Sequence, residues 1–163
     1  MRSGSTSLVM IISRMQNMRI EPAKSGDLSA LLQLFAHLNA DDPPLASDKA
    51  SQIWRRLMEA EGTTVIVARA AQMLAASCTV TVVPNLTRGG RSYALVENVV
   101  THADYRRRGL GRAVLDAAVQ RAWDSDCYKV MLATGSRREE TLRFYEAAGF
   151  DRGTKTFFEI KRR

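Results

Sequence analysis

The segment VVTHADYRRRGLGR, residues 99–112, decides how this chain folds. It opens with an apolar run rich in β-branched residues, which predicts a strand, and it ends with arginines around Gly109 and Gly111. An amphipathic pattern of helical period follows. The segment therefore predicts a strand, a turn whose backbone can approach a ligand closely, and a helix whose first N–H groups and positive dipole end suit a phosphate.

Two other glycine motifs that bind phosphate do not fit this turn. It lacks both the Gly-x-x-x-x-Gly-Lys-Ser/Thr pattern of P-loops and the Gly-x-Gly-x-x-Gly pattern of dinucleotide-binding folds. An ordinary strand-to-helix turn is the alternative, but three adjacent arginines would repel one another there without compensation. We therefore predict that the turn binds a ligand that carries a pyrophosphate.

The length and net charge of the chain restrict the kinds of partner that it is expected to bind. The chain has 163 residues, and its 24 Lys and Arg exceed its 17 Asp and Glu, which gives a net charge of +7. Basic chains often bind nucleic acid. Here the positive residues concentrate at the glycine turn and at a later helix start, which suits a discrete phosphorylated ligand better. No apolar run approaches the roughly 18 residues that a membrane span needs. We predict neither nucleic acid nor membrane as a partner.

The cysteines and histidines predict neither a metal site nor a disulfide. Cys78 and Cys127 lie far apart in the sequence, and His37 and His102 are too few to complete a zinc site with them. Each cysteine lies in or beside an apolar run and is best explained as a buried free thiol. Such thiols predict a reducing compartment, and we expect the cytoplasm.

The rest of the chain predicts an alternation of strands and helices. Residues 1–17 include the flexible composition RSGSTS at positions 2–7 and predict a flexible extension, followed by one domain over residues 18–163. In the first helix we expect Leu28, Leu31, Leu32, Phe35 and Leu38 on the apolar face. The predicted strands are 18–21, 63–69, 73–83, 93–101 and 129–133, the helices are 28–38, 49–60, 110–123 and 139–148, and a closing hairpin uses 150–151 and 155–160.

Two motifs on these elements resemble one family. Arg106-x-x-Gly109-x-Gly111 is similar to the (Gln/Arg)-x-x-Gly-x-(Gly/Ala) signature of the GNAT superfamily of acyl-CoA-dependent N-acetyltransferases. Tyr145-Glu146-x-x-Gly149-Phe150 resembles the Tyr-Glu-x-x-Gly-Phe pattern of the same family, and the order of elements matches from Met18 to Ile160. The resemblance implies an α/β (α+β) fold whose central mixed, twisted sheet of six to seven strands splays at the CoA site and is flanked by about four helices.

The resemblance also implies a binding site for acetyl-CoA as co-substrate, with no metal. In the family, the turn and the helix start hold the pyrophosphate, and backbone groups of the splayed strand bond the pantetheine amides. These roles carry over to Val99, Val100, Thr101, Arg106, Arg107, Arg108, Gly109, Leu110, Gly111 and Arg112. The family often has Asn where this chain has Arg138, which is a departure. We predict that Ser136 and Arg138 instead hold phosphate oxygens, including the ribose 3′-phosphate.

Two residues are candidates for proton transfer. Tyr145 matches the family tyrosine beside the CoA sulfur, where a phenol can protonate the leaving thiolate. A half-buried aromatic residue that anchors its helix is the alternative. Glu97 is a candidate base for the amine, or else a surface residue. Strand alternation places Glu97 on one face together with Val99 and Thr101.

The function that the resemblance implies is transfer of an acetyl group from acetyl-CoA to a primary amine of a small molecule or peptide. No Cys or Ser arrangement points to a covalent intermediate, so we expect direct attack in a ternary complex. A non-catalytic module that binds acyl-CoA is the alternative, and a homodimer remains open. Asp41, Asp42 and Asp48 either select a cationic amine or cap and solvate their loop. His102 either bonds locally in its turn or acts as a base.

Overall fold

The computed structural model describes residues 18–39, 41–70 and 73–162, so the predicted extension over residues 1–17 lies outside the described residues. A single mixed sheet forms its centre, with the strands in the order β1-β2-β3-β4-β5. Neighbouring strands are antiparallel from β1 to β4, and β5 runs parallel to β4. The strands are β1 (Met18–Pro22), β2 (Thr63–Ala70), β3 (Met73–Val83), β4 (Tyr93–Thr101) and β5 (Val130–Leu132).

Four helices flank this sheet, as predicted. The helices are α1 (Leu28–Phe35), α2 (Ser47–Glu59), α3 (Leu110–Asp124) and α4 (Glu139–Ala147). Leu31 of α1 and Trp54 of α2 share one core with Val65 and Val67 of β2. The side chains of α3 and part of α4 share a second core that includes alternate residues of β2 and β3. The sheet therefore separates an α1–α2 side from an α3–α4 side. Among the described residues, no helix has the length and apolar character that crossing a membrane would require.

The apolar face of α1 differs from the prediction. Leu31 and Leu34 are buried against the sheet, whereas Leu32 and Leu38 are exposed. The helix also ends at Phe35, three residues early. The segment LSALLQLF is apolar almost throughout, so its pattern fits more than one helical face. Which face of α1 is buried depends on packing against β2 and β3. Sequence periodicity carries no information about that packing.

The sheet has five strands in the described part of the chain, and the prediction of six to seven is wrong. The expected hairpin over 150–151 and 155–160 forms no strand, and every residue from 151 to 162 is exposed. Asp151 accepts a hydrogen bond from the Gly153 N–H at 2.8 Å, which closes a tight turn. The alternating apolar pattern identifies a segment suited to a sheet, but a strand forms only where a neighbour supplies the hydrogen bonds.

The two cysteines are buried free thiols, as predicted. Cys78 lies in the middle of β3 and donates from Sγ to the Val114 carbonyl of α3 at 3.2 Å. Burial raises the pKa of the Cys78 thiol to about 12. The thiol therefore remains protonated in the folded protein under ordinary conditions.

The buried thiol makes stability depend on alkaline pH. In the unfolded chain Cys78 ionises near its ordinary pKa of about 8.5. Its folded pKa is higher, so its contribution to stability is fully present below a pH of about 8.5 and is lost as the pH rises from there toward the folded pKa. We expect a loss of about 1.4 kcal/mol per pH unit in this window. Urea unfolding of the wild type and of Cys78→Ala measures it: the variant should lose stability less steeply, and equal slopes would contradict the assignment.

Candidate active site

The pairing between the neighbouring strands β4 and β5 ends before β4 does. They pair at only three positions, Ala94 with Val130, Leu95 with Met131 and Val96 with Leu132. β4 continues for another five residues, to Thr101, without a partner on β5. On that edge its backbone N–H and C=O groups can bond an extended ligand, as an added strand would. We call this unpaired stretch of β4 the splay, because it lies where the family resemblance implies one.

A bulge interrupts β4 inside this splayed region. Glu97 pairs with Thr79 of β3, and Val100 pairs with Ser77, so β4 has one more residue than β3 between the two pairs. Asn98 lies at the bulge and has a left-handed backbone, with φ of 54°. A bulge of this kind changes the alternation of side chains across the sheet.

The bulge moves Glu97 away from the face predicted for it. Cross-strand partners share a face, and Thr79 lies next to Cys78, which belongs to the α3-side core. Thr79 and Glu97 therefore face the α1–α2 side. Val99 and Thr101 lie against the α3 side. The prediction that Glu97 shares a face with Val99 and Thr101 is wrong, because strict alternation ends at the bulge.

The turn before α3 exposes backbone donors. Arg107 and Gly109 both have left-handed backbones, with φ of 60° and 79°. The first bond of the helix runs from the Ala113 N–H to the Gly109 carbonyl at 2.9 Å, and no side chain caps the helix. The N–H groups of the first three helical residues, 110–112, consequently have no acceptor within the helix. Turns with left-handed residues that precede a helix form concave sites for anions.

Different physical constraints favour glycine at the two glycine positions of the turn. Nothing lies within 4 Å of a Cβ built on Gly109, so glycine is favoured there by the left-handed backbone conformation and not by a lack of space. On Gly111, a Cβ would lie 3.0 Å from Thr101 Oγ1 and 3.3 Å from Phe144 Cζ. Gly111 therefore lets α3 approach both β4 and α4 closely. The sequence motif alone does not separate these two roles.

The arginines of the turn also divide into groups. Arg106, Arg107 and Arg108 are exposed around the turn; Arg106 Nε lies 3.4 Å from the Thr101 carbonyl, and the Arg108 guanidinium lies 5.2 Å from the centre of the Tyr105 ring. The Arg112 side chain points elsewhere. Its Nε donates to Asp116 at 2.7 Å, and its Nη1 bonds the Ala147 carbonyl at the end of α4. Arg112 therefore links α3 to α4 through its side chain and offers a ligand its backbone N–H.

Tyr145 lies half-buried on α4, beside the splay. Its ring packs edge-on against Phe144, at 5.1 Å between centroids, and against Phe150, at 6.4 Å. Burial raises the pKa of Tyr145, and the negative charge of Glu97 raises it further. The phenol thus remains a proton donor at neutral and moderately alkaline pH.

Comparison with protein families identifies the fold and the activity. A family model described as the acetyltransferase (GNAT) family matches residues 31–150. The chain belongs to this family. This GNAT acetyltransferase is also 31% identical over 135 residues to a glucosamine 6-phosphate N-acetyltransferase from Trypanosoma brucei brucei, and the match covers 82% of this chain and 89% of that protein.

Solved structures agree with the family. The GNAT acetyltransferase is similar to "Putative acetyltransferase from Agrobacterium tumefaciens str. C58", with 40% identity and a TM-score of 0.85 over 88% of this chain and 99% of that one. It is also similar to an acetyltransferase from Trypanosoma brucei, with 29% identity and a TM-score of 0.77 over 90% of this chain and 100% of that one. The chain thus spans the length of these relatives almost completely.

The loop between β5 and α4 carries the remaining predicted ligand residues. Ser136 Oγ lies 3.2 Å from Thr141 Oγ1 and accepts from the Arg138 N–H at 3.4 Å. The Ser136 N–H bonds Thr134 Oγ1 at 3.2 Å. These bonds fix the path of the loop into α4, and Arg138 stands exposed immediately before that helix. The GNAT enzyme thus has a positive side chain where the loop enters α4.

The histidines and the acidic loop residues have mostly local contacts. His102 Nδ1 accepts from the Asp104 N–H at 3.2 Å, which is the predicted local role. Its ring lies 4.2 Å from the ring of His37, a contact that no sequence pattern indicates because 65 residues separate them. Asp42 accepts from the Asn39 amide at 3.2 Å. Over residues 18–39, 41–70 and 73–162, no group of three or more His, Cys, Asp or Glu could hold a metal ion.

Sequence reasoning missed one polar feature on the α1–α2 face. Ser77 is fully buried, and its Oγ has no hydrogen-bond partner among the described residues. It shares that face with Thr79, which lies opposite Glu97. Small polar residues inside an apolar strand carry no motif, so the sequence gives no signal for this polar group beside the candidate base.

Proposed function

We propose that this GNAT acetyltransferase moves the acetyl group of acetyl-CoA to a primary amine by direct attack in a ternary complex. The observation that carries the proposal is the splay between β4 and β5, with the arginine-rich turn at its open end and Tyr145 beside it. An extended ligand with phosphates at one end and a reactive thioester at the other matches this arrangement.

The chain's own groups would hold acetyl-CoA along its length. In this proposal the pyrophosphate binds the N–H groups of Gly109, Leu110, Gly111 and Arg112, within the positive field of Arg106, Arg107 and Arg108. Backbone groups of Val99, Val100 and Thr101 bond the pantetheine amides. Ser136 and Arg138 contact phosphate oxygens from the other side of the splay. Acetyl-CoA supplies the activated acetyl group, and the protein supplies its placement.

The 3′-phosphate assignment makes a separate prediction. Dephospho-CoA lacks that phosphate and should bind about two- to fivefold more weakly than CoA, which is the size of an exposed ion pair. The difference should vanish in Arg138→Ala and persist in Arg143→Ala, a control arginine on α4 that is bonded to Glu139 at 3.2 Å. Titration calorimetry at low and high salt measures both affinities. Equal binding of the two ligands by the wild type would remove Arg138 from the site.

Proton transfer in this scheme uses both candidate residues. The acceptor ammonium loses a proton to Glu97, directly or through water. The neutral amine then attacks the acetyl carbon, the C–N bond forms, the nitrogen releases its second proton to solvent, and the C–S bond breaks. Tyr145 donates its phenolic proton to the departing sulfur and recovers one from solvent. The raised pKa of Tyr145 supports this role, because the phenol stays protonated until the sulfur departs as a thiolate.

Glucosamine 6-phosphate is the acceptor that we propose to test first. The support is the relative from Trypanosoma brucei brucei, a glucosamine 6-phosphate N-acetyltransferase that is 31% identical over 82% of this chain. The compound carries a primary amine, as the proposed chemistry requires, and an anionic phosphate suited to a protein with a net charge of +7. Two buried free thiols support a reducing compartment such as the cytoplasm as the place of this reaction.

A thiol-release assay with acetyl-CoA tests the function. We expect glucosamine 6-phosphate to raise thiol release well above the rate without acceptor. Comparison with glucosamine, which lacks the phosphate, measures the contribution of the phosphate to the rate of thiol release. Glucose 6-phosphate lacks the amine and should give no increase in thiol release. Release with other amines but not with glucosamine 6-phosphate would reject this acceptor and retain the reaction. Tight acetyl-CoA binding with no release across a broad amine panel would instead support a non-catalytic acyl-CoA-binding module.

A further inference from the structure

His102 occupies the junction between β4 and the turn before α3. It follows Thr101, the last residue of the strand, and its N–H donates to the Ala75 carbonyl of β3 at 2.9 Å. Its carbonyl accepts from the Tyr105 N–H at 2.9 Å, which closes a single 3₁₀ turn over Ala103–Tyr105. The backbone of His102 is therefore fixed to the sheet, and the residues after it lead directly into the turn proposed to bind pyrophosphate.

The imidazole ring of His102 caps this 3₁₀ turn in one protonation state only. Nδ1 accepts from the Asp104 N–H at 3.2 Å, and an imidazole nitrogen accepts a hydrogen bond only while it carries no proton. The ring is therefore neutral in this arrangement, with its proton on Nε2. Protonation turns Nδ1 into a second donor that faces the Asp104 N–H, so the cap is lost. The Asp104 carboxylate, whose Oδ2 lies 3.9 Å from Nδ1, is then the acceptor within reach.

The titratable and charged groups around the His102 ring, within the described part of the chain, come from three places. The end of α1 contributes one, the 3₁₀ turn two and the turn before α3 two: His37, Asp104, Tyr105, Arg106 and Arg108. The ring centroid of His37 lies 4.2 Å from that of His102, and the Tyr105 ring lies edge-on at 5.8 Å. Asp104 favours a charged imidazole, whereas a charged His37 and the two arginines oppose one. Charges of both signs thus surround a side chain of the type that ordinarily titrates between about pH 5 and pH 8.

We propose that His102 is a positioning residue for acetyl-CoA, whose neutral form holds the turn before α3 in its binding conformation and whose protonation releases that turn. The inference rests on the proposed acetyl-CoA site. Arg107 and Gly109, whose left-handed backbones shape the turn, follow Tyr105 by two and four residues. Loss of the cap lets these residues leave the geometry in which the N–H groups face the phosphates. Acidification should therefore weaken binding of the acetyl donor.

Dephospho-CoA is the probe that separates this effect from titration of the ligand. CoA carries a phosphate monoester whose second ionisation lies near about pH 6, and dephospho-CoA lacks that group. An ionic strength above about 0.15 M shortens the Debye length below about 8 Å, which limits the attraction between an added imidazolium and the phosphates. In calorimetric titrations under these conditions, we expect the Kd of the wild type to rise about three- to tenfold from about pH 8 to about pH 5.5, the size typical of a lost cap.

Two substitutions of His102 distinguish a titrating cap from a structural contact. His102→Ala removes the cap and should bind at about pH 8 as weakly as the wild type does at about pH 5.5. Asparagine caps such turns through its side-chain oxygen and does not titrate, so His102→Asn should rescue binding and make it equal at both pH values. His37→Phe is the matched control, because it keeps an aromatic ring beside His102. It should retain the decline, shifted to higher pH, since no second positive charge then opposes protonation of His102.

Binding and NMR together decide the assignment. No detectable binding of dephospho-CoA by the wild type at about pH 8 would reject the proposed donor site and this inference with it. Binding that stays constant on acidification, or becomes tighter, would overturn the inference alone. So would a decline that persists in His102→Asn or disappears in His37→Phe. NMR of the ring nitrogens tests the wild type without a ligand: neutral His102 should carry its proton on Nε2, and a proton on Nδ1 would also overturn the proposal.

Discussion

Tyr145→Phe should lower kcat by about 10²–10⁴-fold and leave the Kd for acetyl-CoA nearly unchanged. The substitution keeps the ring that packs against Phe144 and Phe150 and removes only the hydroxyl. An effect confined to kcat identifies an interaction made mainly in the transition state. Steady-state rates with an identified acceptor, together with calorimetric binding of acetyl-CoA, measure the two quantities separately.

A control for this variant removes a tyrosine hydroxyl elsewhere. Tyr128 lies before β5, at the end opposite the splay, so Tyr128→Phe should keep full activity. The raised pKa of Tyr145 adds a second readout. Ionisation of this phenol should not reduce the wild-type rate until the pH exceeds the ordinary tyrosine pKa of about 10. A fall in kcat smaller than about tenfold would assign the proton to water and leave Tyr145 as a packing residue.

Gly109→Val should weaken acetyl-CoA binding by at least about tenfold, or about 1.4 kcal/mol. With φ of 79°, Gly109 occupies a conformation in which a β-branched residue is strained, although space for a Cβ is available. Relief of that strain would rotate the backbone and displace the N–H groups that face the phosphates. Calorimetry on the folded variant provides the affinity.

Gly90→Val is a matched control for the strain. Gly90 has φ of 80° and likewise has nothing within 4 Å of a built Cβ. It precedes β4, at the end of that strand opposite the turn. The two variants should therefore lose similar stability, while only Gly109→Val loses affinity. Comparable affinity losses in both would show that global destabilisation, rather than the turn, causes the effect.

Most elements could be predicted from the sequence because each leaves a local signature. The strand-turn-helix unit over residues 93–124 follows its pattern closely, and Val114, Leu115, Ala118 and Ala122 are buried at helical spacing. The errors arise where the outcome depends on a neighbour. Packing on the sheet selects Leu34 for the buried face of α1, and the absence of a pairing partner leaves residues 155–160 without a strand.

In the candidate site, too, local sequence predicts some features, and contacts between distant residues determine the others. The motif identifies the turn, but the local sequence does not show that the Arg112 side chain reaches Ala147 or that Gly111 contacts Phe144. Both contacts connect residues far apart in the chain. The bulge at Asn98 is likewise a property of the β3–β4 register, and it reverses the face assigned to Glu97.

The separation of the two cores by the sheet has a consequence for how this enzyme diverges from its relatives. The turn, α3 and α4 belong to one core, and α1 and α2 belong to the other. Substitutions on α1 and α2 can therefore reshape the surface near Glu97 without disturbing the turn, α3 or α4. Under this arrangement a lineage can acquire a new acceptor while its donor chemistry stays constant, because selection acts on two largely independent halves of one small protein.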